Sequence, residues 1–298
     1  MSSGDLFAGF PAGEPARSAD PGRRIFVGTS GYSFADWVGP FYPPGTRPGD
    51  FLPFYARHFE TVEVNSSYYR IPSPRAIEQM ERKTPPGFRF MVKLNQAMTH
   101  ERSLEPSLVS GFRAALEPLK AAGKYEGLLA QFPWGFRRAP ENESHLAALR
   151  DALAGAPLFV EFRHASWALP DMQERLRGMS LGFCAVDEPA LASLMPPVAW
   201  VTAEDAYVRF HGRNAANWWG GRSSGATIGT PRETGAAPGD RYDYEYRADE
   251  LKDWVQKVRE LAGQARRTYL FFNNCHAGQA ARSAKLMQEL LRQQDLPA

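Results

Sequence analysis

Eight short apolar runs, each ending in polar or charged residues and nearly all followed by a helix-like segment, constrain this chain more than any other feature. They are Arg24–Gly31, Thr61–Ser67, Phe88–Asn95, Tyr125–Pro133, Leu158–His164, Gly182–Glu188, Ala206–Gly212 and Arg267–Asn274. Parallel strands need a long crossover to reach their neighbours, and eight such units close into a single α/β domain, a (β/α)8 TIM-type barrel. The working face of such a barrel is the ring of strand C-termini.

Crossover helices are expected near Phe51–His58, Pro74–Lys83, Pro106–Ala121, Glu141–Leu153, Asp171–Arg177, Ala248–Leu261 and Gly278–Leu291. Asp50 is the candidate N-cap of the first, and Pro74 suits the first turn of the second. The sixth connection, Pro189–Ala199, is too short and proline-rich for a long helix. Residues 1–22 are rich in Gly, Pro, Ala and Ser without periodicity and read as a disordered tail, leaving 23–298 for the barrel. After the seventh strand, 213–247 form an irregular loop long enough to be a lid over the mouth. Trp218, Trp219, Tyr242, Tyr244 and Tyr246 fit it for docking there.

A chain of 298 residues, 43% of them hydrophobic, suffices for one barrel with a large core. Its net charge of +2 demands neither nucleic acid nor an anionic membrane. Cys184 and Cys275 show no metal-ligand spacing and read as buried thiols in a reducing compartment. The start lacks a signal-peptide pattern, and no apolar run approaches the roughly 20 residues that span a bilayer. The expectation is a cytoplasmic protein without membrane partners.

Strand side chains alternate, so parity separates lumen from helix layer. In TVEVNSS, Val62 and Val64 face the helices and turn Glu63 and Asn65 inward. In LFVEFRH the same rule sends Glu161 and Arg163 inward, and in AYVRFHG it sends Arg209 and His211 inward. FRFMVKLN contributes Lys93 and Asn95, and GFCAVDE is read as contributing Asp187. Gln131, Asn273 and Ser30 complete the ring of strand ends. Buried charges in one lumen must pair with each other or with a ligand. The loops above hold Tyr32, Trp37, Tyr68, Tyr69, Trp134, Trp167, Trp218 and Trp219, which suit a sugar ring or a nucleobase.

The segments GTSGYSFADWVGPFYP, VEVNSSYYRIP, KLNQAMTH, LAQFPWGF, VEFRHASW, VRFHGRN and FFNN occur in the order seen in the YecE-like family, domain of unknown function 72. The resemblance spans roughly 24–290 and implies a TIM-like barrel; it names no reaction. In that family an Asn commonly stands where this chain has Ser283, and a histidine often directly follows the Asn pair, where here Cys275 precedes His276.

Three chemistries fit the inward set. Glu63, Glu161, Asp187 and His211 resemble metal ligands in kind, but three inward cations share the space and no HExxH-type spacing is present, so no metal is expected. Paired carboxylates such as Glu161 and Asp187 suit metal-free hydrolysis, with Glu63 nearby and His211 as proton donor. Lys93, Arg163, Arg209 and Arg213 suit an anionic group, while Asn65, Asn95, Gln131 and Asn273 suit ring edges or hydroxyls, with Tyr32, Trp134 and Trp167 as aromatic contacts. No Walker A loop or strong dinucleotide fingerprint occurs, and no cofactor is expected. The combined expectation is a hydrolase of this barrel type acting on a polar, anionic, ring-bearing ligand such as a nucleotide, a nucleic-acid fragment or a sugar phosphate. A non-catalytic metabolite- or nucleic-acid-binding barrel and a divalent-metal hydrolase are the alternatives. Under the enzyme reading, Glu161→Gln removes turnover and leaves the fold intact.

Overall fold

Every apolar run forms a strand. In a computed structural model, which describes residues 25–219, 240–296 and 298, these are β1 (Ile25–Thr29), β2 (Thr61–Val64), β3 (Arg89–Lys93), β4 (Tyr125–Gln131), β5 (Leu158–Glu161), β6 (Gly182–Asp187), β7 (Ala206–Phe210) and β8 (Thr268–Phe272). The strands are parallel and their order is β1-β8-β7-β6-β5-β4-β3-β2. The ring closes between its two ends through a parallel bridge from Ser30 to Glu63, where Gly31 N–H donates to the Glu63 carbonyl at 2.9 Å. A glycine makes that seam possible: a Cβ on Gly28 would lie 2.3 Å from the Thr61 carbonyl oxygen. The expected tail (1–22) and the central part of the expected lid (220–239) lie outside the described residues.

Helices 51–55, 74–82, 106–115, 117–121, 140–152, 172–178, 248–264 and 279–292 fill the crossovers. Proline occupies the first turn of four of them (74–82, 106–115, 117–121 and 140–152), where a missing N–H costs nothing. Ser73 caps 74–82 by accepting the Ala76 N–H at 3.2 Å. Asp50 precedes the helix at 51–55 but makes no side-chain cap bond, which corrects the expected cap. No helix forms among the described residues of the sixth connection.

Two cores result. The larger lies between strands and helices and includes Val62, Val64, Val160, Phe162, Val208 and Phe210. The smaller fills the lumen with Phe26, Met91, Leu129, Phe159, Cys184, Tyr207, Tyr269 and Phe271. Below that plug, Glu126 joins Arg89, Arg267 (2.6 Å) and the Tyr269 hydroxyl (2.7 Å). The lumen is therefore a packed core, with one charged cluster below its apolar layer and another above it at the mouth. No helix among the described residues is long and apolar enough to cross a membrane.

Candidate functional site

The strand ends bring five charged groups into one connected chain. Arg209 Nη1 donates to Glu161 Oε2 at 2.6 Å, and its Nη2 donates to Glu63 Oε1 at 2.8 Å. Ser30 Oγ lies 3.3 Å from the same Nη2. Glu63 also accepts the Tyr207 hydroxyl at 2.5 Å. Arg163 Nε reaches Glu161 Oε1 at 2.7 Å, and its Nη1 reaches Glu188 Oε2 at 3.2 Å. Cations and carboxylates thus alternate from β2 across the lumen to the loop after β6.

Burial alone would raise the Glu161 carboxyl, but Arg163 and Arg209 overcome it and hold the group well below the usual carboxylate range. Glu161 is consequently an ionised anchor, unsuited to donate a proton. His211 sits with Nε2 3.3 Å from Glu161 Oε1, while Asn273 Nδ2 donates to its Nδ1 at 3.1 Å. Burial, with Arg163 beside it, lowers the imidazole to about 3, so the ring is neutral at ordinary pH. Burial pushes Glu188 up to about 8; its other oxygen accepts the Met195 N–H at 3.1 Å.

Lys93 behaves differently from the arginines. Its ammonium bonds Gln131 Oε1 at 2.9 Å and stands 4.2 Å from the centre of the Tyr68 ring. Among the described residues no carboxylate pairs with it. Burial, then the Arg209 charge, brings the amine down to about 7. Gln131 is itself pinned, donating from Nε2 to the Phe132 carbonyl at 2.7 Å.

Several expected site residues lie elsewhere or are already committed. Asp187 is outside the lumen, because Cys184 occupies the inward parity of β6. Its carboxylate accepts from Arg213 (Nε 2.9 Å, Nη2 2.7 Å), the Tyr246 hydroxyl (2.7 Å) and the Trp254 indole (2.5 Å). Asp187 and Arg213 therefore tie the β7 exit to the helix layer, and Arg213 is spent on that tie. Asn95 is an internal clamp: it donates to the Ser67 and Tyr68 carbonyls (3.0 and 3.1 Å) and caps the turn at 96–99 through Ala97 N–H. Trp37 and Trp167 are buried plugs whose indoles donate to the Cys275 and Phe136 carbonyls, each at 2.6 Å. Arg209 is buried beneath the mouth, and both of its terminal nitrogens are engaged with carboxylates. With Asp187 outside and Arg209 between Glu63 and Glu161, the four residues considered as metal ligands do not converge; among the described residues no other group of His, Cys, Asp and Glu is arranged to hold a metal either.

The remainder of the set lines the rim. Arg163, Lys93, Gln131 and Asn273 are partly exposed. Asn65 is half-buried, with its Oδ1 unbonded among the described residues. Tyr32 packs against the core beside Tyr55 at 6.2 Å. Trp134 meets His164 at 5.2 Å and Trp219 at 5.6 Å, with Arg137 4.7 Å over its ring. Trp218 and Tyr242, from the two stems of the 213–247 segment, approach His211 at 6.4 and 6.3 Å. Glu188 and Tyr207 were missing from the expected site. Counting parity from Cys184 finds the first, and from Arg209 the second.

Known proteins share this architecture. The family profile described as "Protein of unknown function DUF72" matches residues 26–298. The UPF0759 protein YunF of Bacillus subtilis (strain 168) is 33% identical over 284 residues, covering 90% of this chain and 94% of that protein. A crystal structure of a DUF72 family protein from Thermotoga maritima MSB8 is 38% identical with a TM-score of 0.79, covering 91% of this chain and 100% of that one. One from Enterococcus faecalis V583 is 26% identical with a TM-score of 0.77, covering 90% and 95%. Profile, relative and solved structures converge on one assignment: this chain belongs to the DUF72 family.

Proposed function

We propose that this protein is an enzyme that binds a polar ligand carrying an anionic group and a stackable ring, and acts on it by acid–base chemistry of hydrolytic type. A nucleotide, a nucleic-acid fragment or a sugar phosphate has the required chemistry. The observation that carries the reading is the order of charge at the mouth. Glu63 and Glu161 are 0% exposed, whereas Lys93 and Arg163 each stand one inward step further out: Lys93 beyond Met91, which pairs with Glu63, and Arg163 beyond Glu161. A ligand entering the mouth meets the cations first.

An anionic group would supply the charge that Lys93 lacks, and Arg163 still has Nη2 to offer once Nε and Nη1 are engaged. In this reading Tyr68, Trp134 and Tyr242 meet the ring. The acid–base roles differ from a two-carboxylate scheme, because Glu161 is held ionised and Asp187 is outside the lumen. Proton exchange instead falls to Lys93, whose amine titrates near neutrality. A thermal-shift screen of nucleotides, sugar phosphates and short nucleic acids, with and without chelator, tests the reading. Stabilisation by anionic ring compounds, lost in Lys93→Met, supports it. The reading fails if no such compound stabilises the protein, or if the variant responds as the wild type does. Turnover of the stabilising compound separates an enzyme from a barrel that only binds.

A further inference from the structure

We infer that Lys93 is a nucleophilic amine that captures an aldehyde or ketone group of the bound ligand as an imine. The inference rests on the proposed binding of an anionic ligand at this mouth, and it narrows the ligand to one that also carries a carbonyl.

Lys93 is set apart from the other lysines by its surroundings. Lys124 is buried against Glu81 and Thr84, Lys120 pairs with Glu117, and Lys83, Lys257 and Lys285 donate to backbone carbonyls on the outer surface. Lys93 alone projects into the lumen, at the end of β3. There the guanidinia of Arg163 and Arg209 disfavour another cation, while the Glu161 and Glu63 charges that would favour one are already taken up by those arginines. The bond to Gln131 uses one N–H and fixes the nitrogen, and the Tyr68 ring covers one side of it. A neutral amine held this way keeps its lone pair for a ligand in the mouth.

The step balances without an oxidant or reductant. The Nζ lone pair forms a bond to the carbonyl carbon while the C=O π pair moves onto oxygen; one N–H proton leaves the nitrogen and one proton reaches the oxygen, giving a neutral carbinolamine. A second proton on the oxygen lets the C–O bond break with loss of water as the nitrogen pair forms C=N, and the resulting iminium gives up its remaining N–H proton to solvent. Amine and carbonyl become imine and water. Arg163 is the cation beside the developing oxyanion.

Pyridoxal phosphate unites a ring, a phosphate and an aldehyde, and serves as the probe. The full chain is incubated with it at pH 7, reduced with borohydride and mapped by mass spectrometry, with binding followed in parallel by thermal shift. Lys93 should be modified about tenfold or more faster than any other lysine, since each unit of lowered amine pKa raises the reactive fraction about tenfold. Labelling should rise with pH through about 7 rather than near the ordinary lysine value of 10.5. Lys93→Arg should lose the label. Arg163→Gln, which keeps the amine, should slow labelling by the phosphate compound more than by pyridoxal. Stabilisation by the probe with Lys93 unlabelled, or labelled no faster than surface lysines, overturns the imine and leaves the binding reading standing. Neither stabilisation nor labelling overturns both.

Discussion

Arg209 donates to Glu161 at 2.6 Å from the centre of the barrel, and the second arm of the same guanidinium holds Glu63 at 2.8 Å. One side chain on β7 thus cross-links β5 and β2 through groups that are essentially sealed from water. Breaking such a pair strands the partner charge, which costs about 3–5 kcal/mol. Glu161→Gln is therefore expected to lower unfolding free energy by about that amount in urea titration. This revises the expectation from sequence that the same change spares the fold. Arg209→Met should be worse, because it abandons two carboxylates at once.

Asp187 serves a different structure. It gathers Arg213, Tyr246 and Trp254, while the Tyr246 hydroxyl accepts the Gly212 N–H at 2.9 Å. Asp187→Asn should destabilise the protein by about 2–3 kcal/mol, since Arg213 keeps some solvent. Ligand affinity at the mouth should stay unchanged when measured on the folded variant.

The β1–β2 seam offers a steric test. A methyl group on Gly28 would meet the Thr61 carbonyl oxygen at 2.3 Å, whereas one on Gly49 would meet nothing within 4 Å among the described residues. Gly28→Ala should cost about 1–3 kcal/mol or more by forcing the strands apart. Gly49→Ala should be close to neutral in the same thermal melts.

Lys93 should reveal itself through pH. Its folded value of about 7 lies below the ordinary 10.5, so between these pH values the unfolded chain binds more protons and this group's contribution to stability rises with pH. Below pH 7 the full cost of the confined cation is present. Lys93→Met should accordingly be more stable than wild type at neutral pH, by about 0.5–2 kcal/mol. That advantage should shrink as pH rises toward 10. Glu188, raised to about 8 by burial, titrates in both proteins and cancels from the comparison.

The fold was legible because the apolar runs and the proline-marked helix starts repeat through the chain. Parity worked on β2, β5 and β7, where Val and Phe alternate with charged residues. It failed on β6, because GFCAVDE is apolar on both faces and ends in two adjacent acids. There the small inward residues decide: a Cβ on Gly182 would sit 2.3 Å from the Phe159 ring, which keeps that face toward the lumen plug. Trp167 illustrates another limit. Its position after β5 suited a mouth platform, yet the indole found the Phe136 carbonyl and a stack with Phe162 at 4.2 Å. The Phe136 carbonyl comes from 31 residues away in sequence, so only tertiary packing assigns it.

In the proposed function, the partly exposed cations of the mouth, over a layer of buried carboxylates, bind an anionic group attached to a ring. Calorimetric titration of adenosine monophosphate against adenosine, on wild type, Lys93→Met and Arg163→Met, decides whether they do. The phosphate should improve affinity by about tenfold or more, and either substitution should remove most of that gain. Equal affinity for the two compounds, or a phosphate gain that survives both substitutions, would contradict the proposed function.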